Sequence, residues 1–247
     1  MGAALGKETG SPVRWGVPDA LICWAAGLVA STAAVTVVVM ARSPASGGGG
    51  SASGLSPGMI FLVVLPVQGF AHLGAMAWVS RAKGLGSMAA DFGLSLSWRR
   101  SWLIAVGIGL QFAFAVILIP ILQVLEVKEP SQDLIRQAKQ VNGISYLGVA
   151  LSAGLLAPLV EETLFRGLLL RALMRRMHTP AAVLLSAILF GLAHVPDNLS
   201  AAAGLPAFIG LGILLGAVAV STGSLAGPVF LHAGFNLATV GLLLLDR

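Results

Sequence analysis

Six side chains able to do chemistry, with one aromatic companion, sit inside stretches that are otherwise apolar: Glu161, Glu162 and Arg166 in LVEETLFRGLLL (159–170), His194 with its companion Phe190 in FGLAH, and His232 and Asn236 in LHAGFN. A charged group at the centre of a membrane helix costs roughly 2.5–3.5 kcal/mol on insertion scales, so such groups need a structural or a chemical reason to be there. Spacing separates their roles. Glu162 and Arg166 are i and i+4, share one helix face and can pair, which offsets the cost of both charges. Glu161 points about 100° away around the helix and is the carboxylate left for chemistry. Taking the two apolar runs around Met177–Pro180 as a hairpin, Glu161 and His194 each lie about 16 residues from the turn, roughly 24 Å along their helices, and meet at one depth. A carboxylate and an imidazole at one depth can share and activate a water. His232 and Asn236, again i and i+4, present an imidazole and an amide on one face, two donors of the kind that stabilise an oxyanion. Phe190 shares a face with His194 and can keep the site dry. The alternatives stay open at this point: one structural cluster for Glu161, Glu162 and Arg166, and a helix–helix hydrogen bond for His232 and Asn236.

The other polar residues read more simply. His72 with Gln68 is a helix-packing pair, Gln111 a neutral companion at membrane depth, His178 a turn residue and Asp197 a loop residue. Gly191, Gly234 and GILLG (212–216) permit close helix approach. No serine or cysteine has a nucleophile's surroundings, and no glycine-rich phosphate loop is present.

The chain that must position these groups has 247 residues, 57% hydrophobic and only 10% charged, with mean hydropathy +0.91. Too little charge is present to cover a soluble domain of this size. The expected fold is all-α, a polytopic transmembrane bundle of about seven helices, with runs at 17–41, 58–79, 102–125, 146–170, 180–196, 205–221 and 224–245. The net charge of +5 falls beside apolar runs, where it marks topology and binds lipid surfaces rather than nucleic acid. A single cysteine, Cys23, allows no disulfide within the chain.

Three parts are expected: a polar tail (1–16), N-terminal transmembrane helices and loops (17–145) and a catalytic core (146–245). SPASGGGGSASGLSP (43–57) reads as a flexible linker, residues 126–145 as a solvated loop, and 81–101 as basic and amphipathic with Trp98 and Trp102 at an interface. With seven alternating helices, Lys7, Arg14, Arg81, Lys83, Arg99, Arg100, Arg171, Arg175 and Arg176 fall on one side. Arg42, Lys128, Arg136, Lys139 and Arg247 fall on the other. This asymmetry places the N-terminus in the cytoplasm, and the composition suits a bacterial plasma membrane.

The ordered motifs EETLFR, FGLAH and HAGFN resemble the CPBP family of CAAX proteases and bacteriocin-processing enzymes, also called the Abi family. The resemblance covers about 146–245 and implies an intramembrane endopeptidase acting on a membrane-presented peptide or protein. It implies that Glu161 and His194 activate water, that His232 and Asn236 stabilise the oxyanion, and that Arg166 holds Glu162. No cofactor is favoured. Zinc is the alternative, held by Glu161, His194 and His232, although the chain has no HExxH. Alternative functions are a non-catalytic bacteriocin-immunity protein and a proton-coupled transporter.

Overall fold

The computed structural model describes residues 13–42, 55–95, 97–124, 137–194 and 204–245. The linker's 43–54, the hydrophilic 125–136 and Asp197 lie outside these residues. The described residues are overwhelmingly helical and contain no strand. The helices are α1 (Val17–Arg42), α2 (Pro57–Lys83), α3 (Met88–Phe92), α4 (Leu103–Val124), α5 (Ser145–Met174), α6 (Thr179–Leu192), α7 (Leu205–Thr222) and α8 (Ala226–Leu245). Six of them, all but α3 and α6, are long and apolar enough to cross a membrane. The protein is an integral membrane helical bundle.

The exception is instructive. The fifth apolar run extends to Pro196 in the sequence, but α6 stops at Leu192 after 14 residues. At about 1.5 Å per residue it covers about 21 Å, short of a hydrocarbon core of about 30 Å. His194 therefore sits in the turn just beyond the helix, bonded through its backbone N–H to the Gly191 carbonyl. At the other end His178 caps the helix by accepting from Ala181 N–H, and Pro180 stands in its first turn.

Two of the long helices contain wide, π-helical turns, and the cause is proline. In α2 the turn Ile60–Val64 precedes Pro66; in α5 the turn Ser152–Leu156 precedes Pro158. A proline ring clashes with the carbonyl four residues back and offers no N–H, so the preceding turn opens. Leu65 N–H then reaches Ile60, and Ala157 N–H reaches Ser152. The next carbonyls along, Phe61 and Ala153, face prolines and have no backbone donor. Side chains of neighbouring helices replace it: Ser152 Oγ donates to Phe61 O at 2.6 Å, and Asn236 Nδ2 donates to Ala153 O at 2.9 Å. A third wide turn, Thr163–Leu169, follows the two glutamates, and there Ser186 Oγ of α6 donates to Phe165 O.

Packing centres on α5, whose final turns from Leu164 to Leu173 are nearly all buried. α8 lies along α4, α6 against α7, and α1 against α2, with α1 also touching α5. At the α4–α8 crossing the backbones nearly touch: a Cβ on Gly234 would strike the Ile104 carbonyl, and one on Gly107 the Leu231 carbonyl. Gly234→Ala is therefore expected to cost about 1–3 kcal/mol through overpacking. The effect would be read as a lower midpoint of unfolding in detergent.

The polar residues outside the motifs mostly hold helices together. His72 Nε2 meets the Trp24 carbonyl across α1 and α2, and Gly27 lies against the same ring. Part of the expected polar tail is core: Trp15 is buried, packs edge-on to Phe92 and donates to Asp91 at 3.0 Å. The buried Asp91 also accepts from Ser80 Oγ and from Leu85 N–H, closing the α2–α3 connection. Trp98 and Trp102 are exposed at the same end of the bundle, as an interfacial pair should be.

Candidate active site

α5, α6 and α8 bring six of the seven singled-out side chains into one cluster. Glu161 Oε2 lies 3.6 Å from His194 Nε2 and 3.8 Å from His232 Nε2. Glu162 Oε1 accepts from Arg166 Nη1 at 2.9 Å and from His232 Nδ1 at 2.8 Å. Arg166 also donates from Nη2 to the Gly212 carbonyl of α7 at 3.2 Å, with its guanidinium 4.3 Å from the Phe190 ring centroid. One side chain thus joins α5, α6 and α7, and reaches α8 through Glu162. Close approach of α6 and α7, with Gly212 against Ala187, makes the Gly212 carbonyl reachable.

Burial divides the two carboxylates. The Glu162 and Arg166 side chains are 0% and 1% exposed, whereas those of Glu161 and His194 are 26% and 20% exposed. The sealed pair is an internal brace; the other pair is partly accessible. Glu161 Oε2 itself is shielded and has no hydrogen-bond partner among the described residues. Its nearest polar neighbours are the two imidazoles, at separations that suit a bridging water.

The outward hydrogen bonds assign the imidazole protons. A carbonyl oxygen only accepts, so His194 Nδ1, at 2.7 Å from Phe190 O, carries a proton. The same holds for His232 Nδ1 on the Glu162 carboxylate. In their neutral forms both rings therefore turn an unprotonated Nε2 toward Glu161. His194 is held in place by stacking: its ring lies 4.5 Å from Phe190 and 4.8 Å from Phe208 of α7, nearly parallel to the latter at 22°. Phe190 also meets His232 edge-on at 5.8 Å.

The seventh residue, Asn236, is turned differently. Its amide donates to the Ala153 carbonyl that Pro158 leaves without a backbone donor. An amide nitrogen carries two hydrogens, so one remains for another acceptor. His232 Nε2 becomes a donor only in the imidazolium form. Two participants carried no sequence signal: Phe208 lies in a uniformly apolar run, and Pro158 gains meaning only once Asn236 is opposite Ala153. Gly212 was legible as a close-approach glycine, but not as the source of a carbonyl for Arg166.

Glu161, His194 and His232 belong to residue types that ligate zinc. Among the described residues, however, no group of three such side chains is arranged to hold a metal ion.

Residues 143–238 match the family model described as type II CAAX prenyl endopeptidase, Rce1-like. Over this segment, less than half of the chain, the protein is similar to the Rce1-like, CPBP family. No curated protein and no solved structure matches the chain. The Rce1-like segment begins just before α5, ends within α8 and contains all seven residues of the motifs. The similarity is to a family of CAAX-type membrane proteases. α1–α4 lie outside the matched segment but are packed onto it through α5 and α8.

Proposed function

We propose that the protein is an intramembrane endopeptidase that hydrolyses a peptide bond in a membrane-presented peptide or protein, a prenylated tail being the substrate class the family description favours. The observation that carries the reading is the convergence of two imidazole Nε2 atoms on the partly exposed Glu161, beside a sealed Glu162–Arg166 brace. A water between Glu161 and His194 donates its two hydrogens to these two acceptors, which leaves a lone pair for the scissile carbonyl. As the oxygen–carbon bond forms, Glu161 takes the proton. The negative charge on the former carbonyl oxygen is met by the imidazolium of His232 and the second amide hydrogen of Asn236. Collapse of the tetrahedral species breaks the carbon–nitrogen bond, and the proton held by Glu161 passes to the departing amine.

The basic end of the bundle, with Arg81, Lys83, Arg99, Arg100, Arg171, Arg175 and Arg176, faces the cytoplasm in this reading, together with the N-terminus. The test is cleavage of a quenched peptide library and of a farnesylated CAAX peptide by the purified protein in detergent. Wild-type protein is expected to cleave, to retain full activity in a strong zinc chelator, and to lose about 10²–10⁴-fold in kcat on His194→Ala. Strict dependence on added zinc would transfer Glu161, His194 and His232 to a metal site. A folded wild type that cleaves nothing would favour binding or transport.

A further inference from the structure

At the basic end, about 14 residues or some 21 Å along α5 from Glu161, lies a cavity of about 450 Å³. It is bounded by the residues before α1, the end of α2 and the α5–α6 connection. Among the described residues four cations line it, Arg14, Lys83, Arg175 and Arg176, against one carboxylate, Asp19. That carboxylate is already engaged: Oδ1 takes Lys83 Nζ at 2.6 Å, and Oδ2 caps Gly16 N–H at 2.8 Å. Three guanidiniums therefore face the cavity uncompensated by it. Arg14 donates to the Ala82 carbonyl, while Arg175 lies 4.0 Å over the Trp15 ring and donates to the Trp15 carbonyl. Burial and the neighbouring charge of Arg176 hold Arg175 below its ordinary pKa. Like charges gathered around one space are stabilised by an anion in it.

The surroundings specify what kind of anion. Pro18 lines the cavity, and Leu21 and Ile22, three and four residues on, continue its face of α1. Both are exposed, as are Ala25, Leu28 and Val29 along the same side. An apolar, uncovered stripe thus runs from the basic cavity into the membrane span. The geometry points to a site for an acidic phospholipid, its phosphate among Arg14, Arg175 and Arg176 and an acyl chain along α1. The bound lipid would tie α1, α2 and the end of α5 together at the membrane surface.

The test is thermal unfolding of the full chain in a neutral detergent with added phosphatidylglycerol, phosphatidylcholine of the same acyl chains, or sodium phosphate. Phosphatidylglycerol at a hundredfold excess over its Kd is expected to raise the midpoint by about 5–10 °C, and phosphatidylcholine to leave it unchanged. Arg176→Gln, chosen because Arg175 also holds Trp15, should reduce phosphatidylglycerol retention in native mass spectrometry at least tenfold. Arg99→Gln with Arg100→Gln, at the same end but outside the cavity, should not. Equal retention in Arg176→Gln and wild type, or equal shifts with both lipids, would overturn the site. A full shift with sodium phosphate, without added lipid, would overturn the lipid assignment in favour of a free-phosphate site.

Discussion

Arg166→Met is expected to be among the most destabilising single substitutions in this protein, lowering stability by about 3–5 kcal/mol and abolishing cleavage. The cause is not the lost hydrogen bonds as such. Removing Arg166 leaves Glu162, fully buried, as a carboxylate without its cationic partner, and frees the Gly212 carbonyl in a dry interface. It also removes the cation from the face of Phe190, which positions His194. A charge-cycle separates these effects. Replacing both partners, Glu162→Leu with Arg166→Met, removes the uncompensated charge and should recover much of the stability. The double variant should still be inactive, because His232 Nδ1 has then lost its acceptor. Unfolding midpoints of wild type, both single variants and the double variant measure the coupling. A double variant no more stable than Arg166→Met would show that the pair does not brace the bundle.

The second large effect concerns Asn236, which ties α8 to the Ala153 carbonyl and in the proposed mechanism also donates to the oxyanion. Asn236→Leu is expected to reduce kcat by about 10²–10³-fold, as loss of one oxyanion donor does, and to destabilise by about 1–3 kcal/mol because Ala153 O loses its donor. Pro158→Ala tells the roles apart. It supplies the backbone N–H that the proline withholds, so the Ala153 carbonyl can return to the helical ladder. Stability should therefore recover in Asn236→Leu/Pro158→Ala, while kcat stays low. If activity returns with stability, Asn236 is a helix tie alone, and the oxyanion rests on His232. The split between unfolding midpoint and kcat is the deciding readout.

What could be read from the sequence, and what could not, follows from the range of the forces involved. The Glu162–Arg166 pair and the common depth of Glu161 and His194 depend only on the repeat and rise of a helix. The first lies where that arithmetic puts it, at 2.9 Å; Glu161 and His194 do meet, at 3.6 Å, although His194 stands in the turn beyond α6 rather than on the helix. The apolar runs likewise locate the long helices, because burying a backbone in lipid leaves few other structures. The length of α6 was not legible, since hydropathy continues past Leu192 while the helix does not. Nor was the burial of Trp15, whose partner Asp91 is 76 residues away. The wide turns before Pro66 and Pro158 have a local cause, but their consequence is tertiary: which side chain caps the orphaned carbonyl is decided by the neighbouring helix. The direction of each imidazole is tertiary too. His232 reads as an outward donor next to Asn236, yet its Nδ1 proton is committed to Glu162, and this makes its donor role depend on a second proton.

In the proposed mechanism Glu161 is the base, and Glu161→Gln isolates that role. The amide is the same size and cannot accept the proton of an attacking water. The side chain is outside the Glu162–Arg166 brace, so the fold should tolerate the change, with an unfolding midpoint within about 0.5 kcal/mol of wild type in free-energy terms. Cleavage of the quenched library by this variant, matched for folding against wild type, is expected to fall by about 10²–10⁴-fold in kcat. A folded Glu161→Gln protein that cleaves at the wild-type rate would contradict the account.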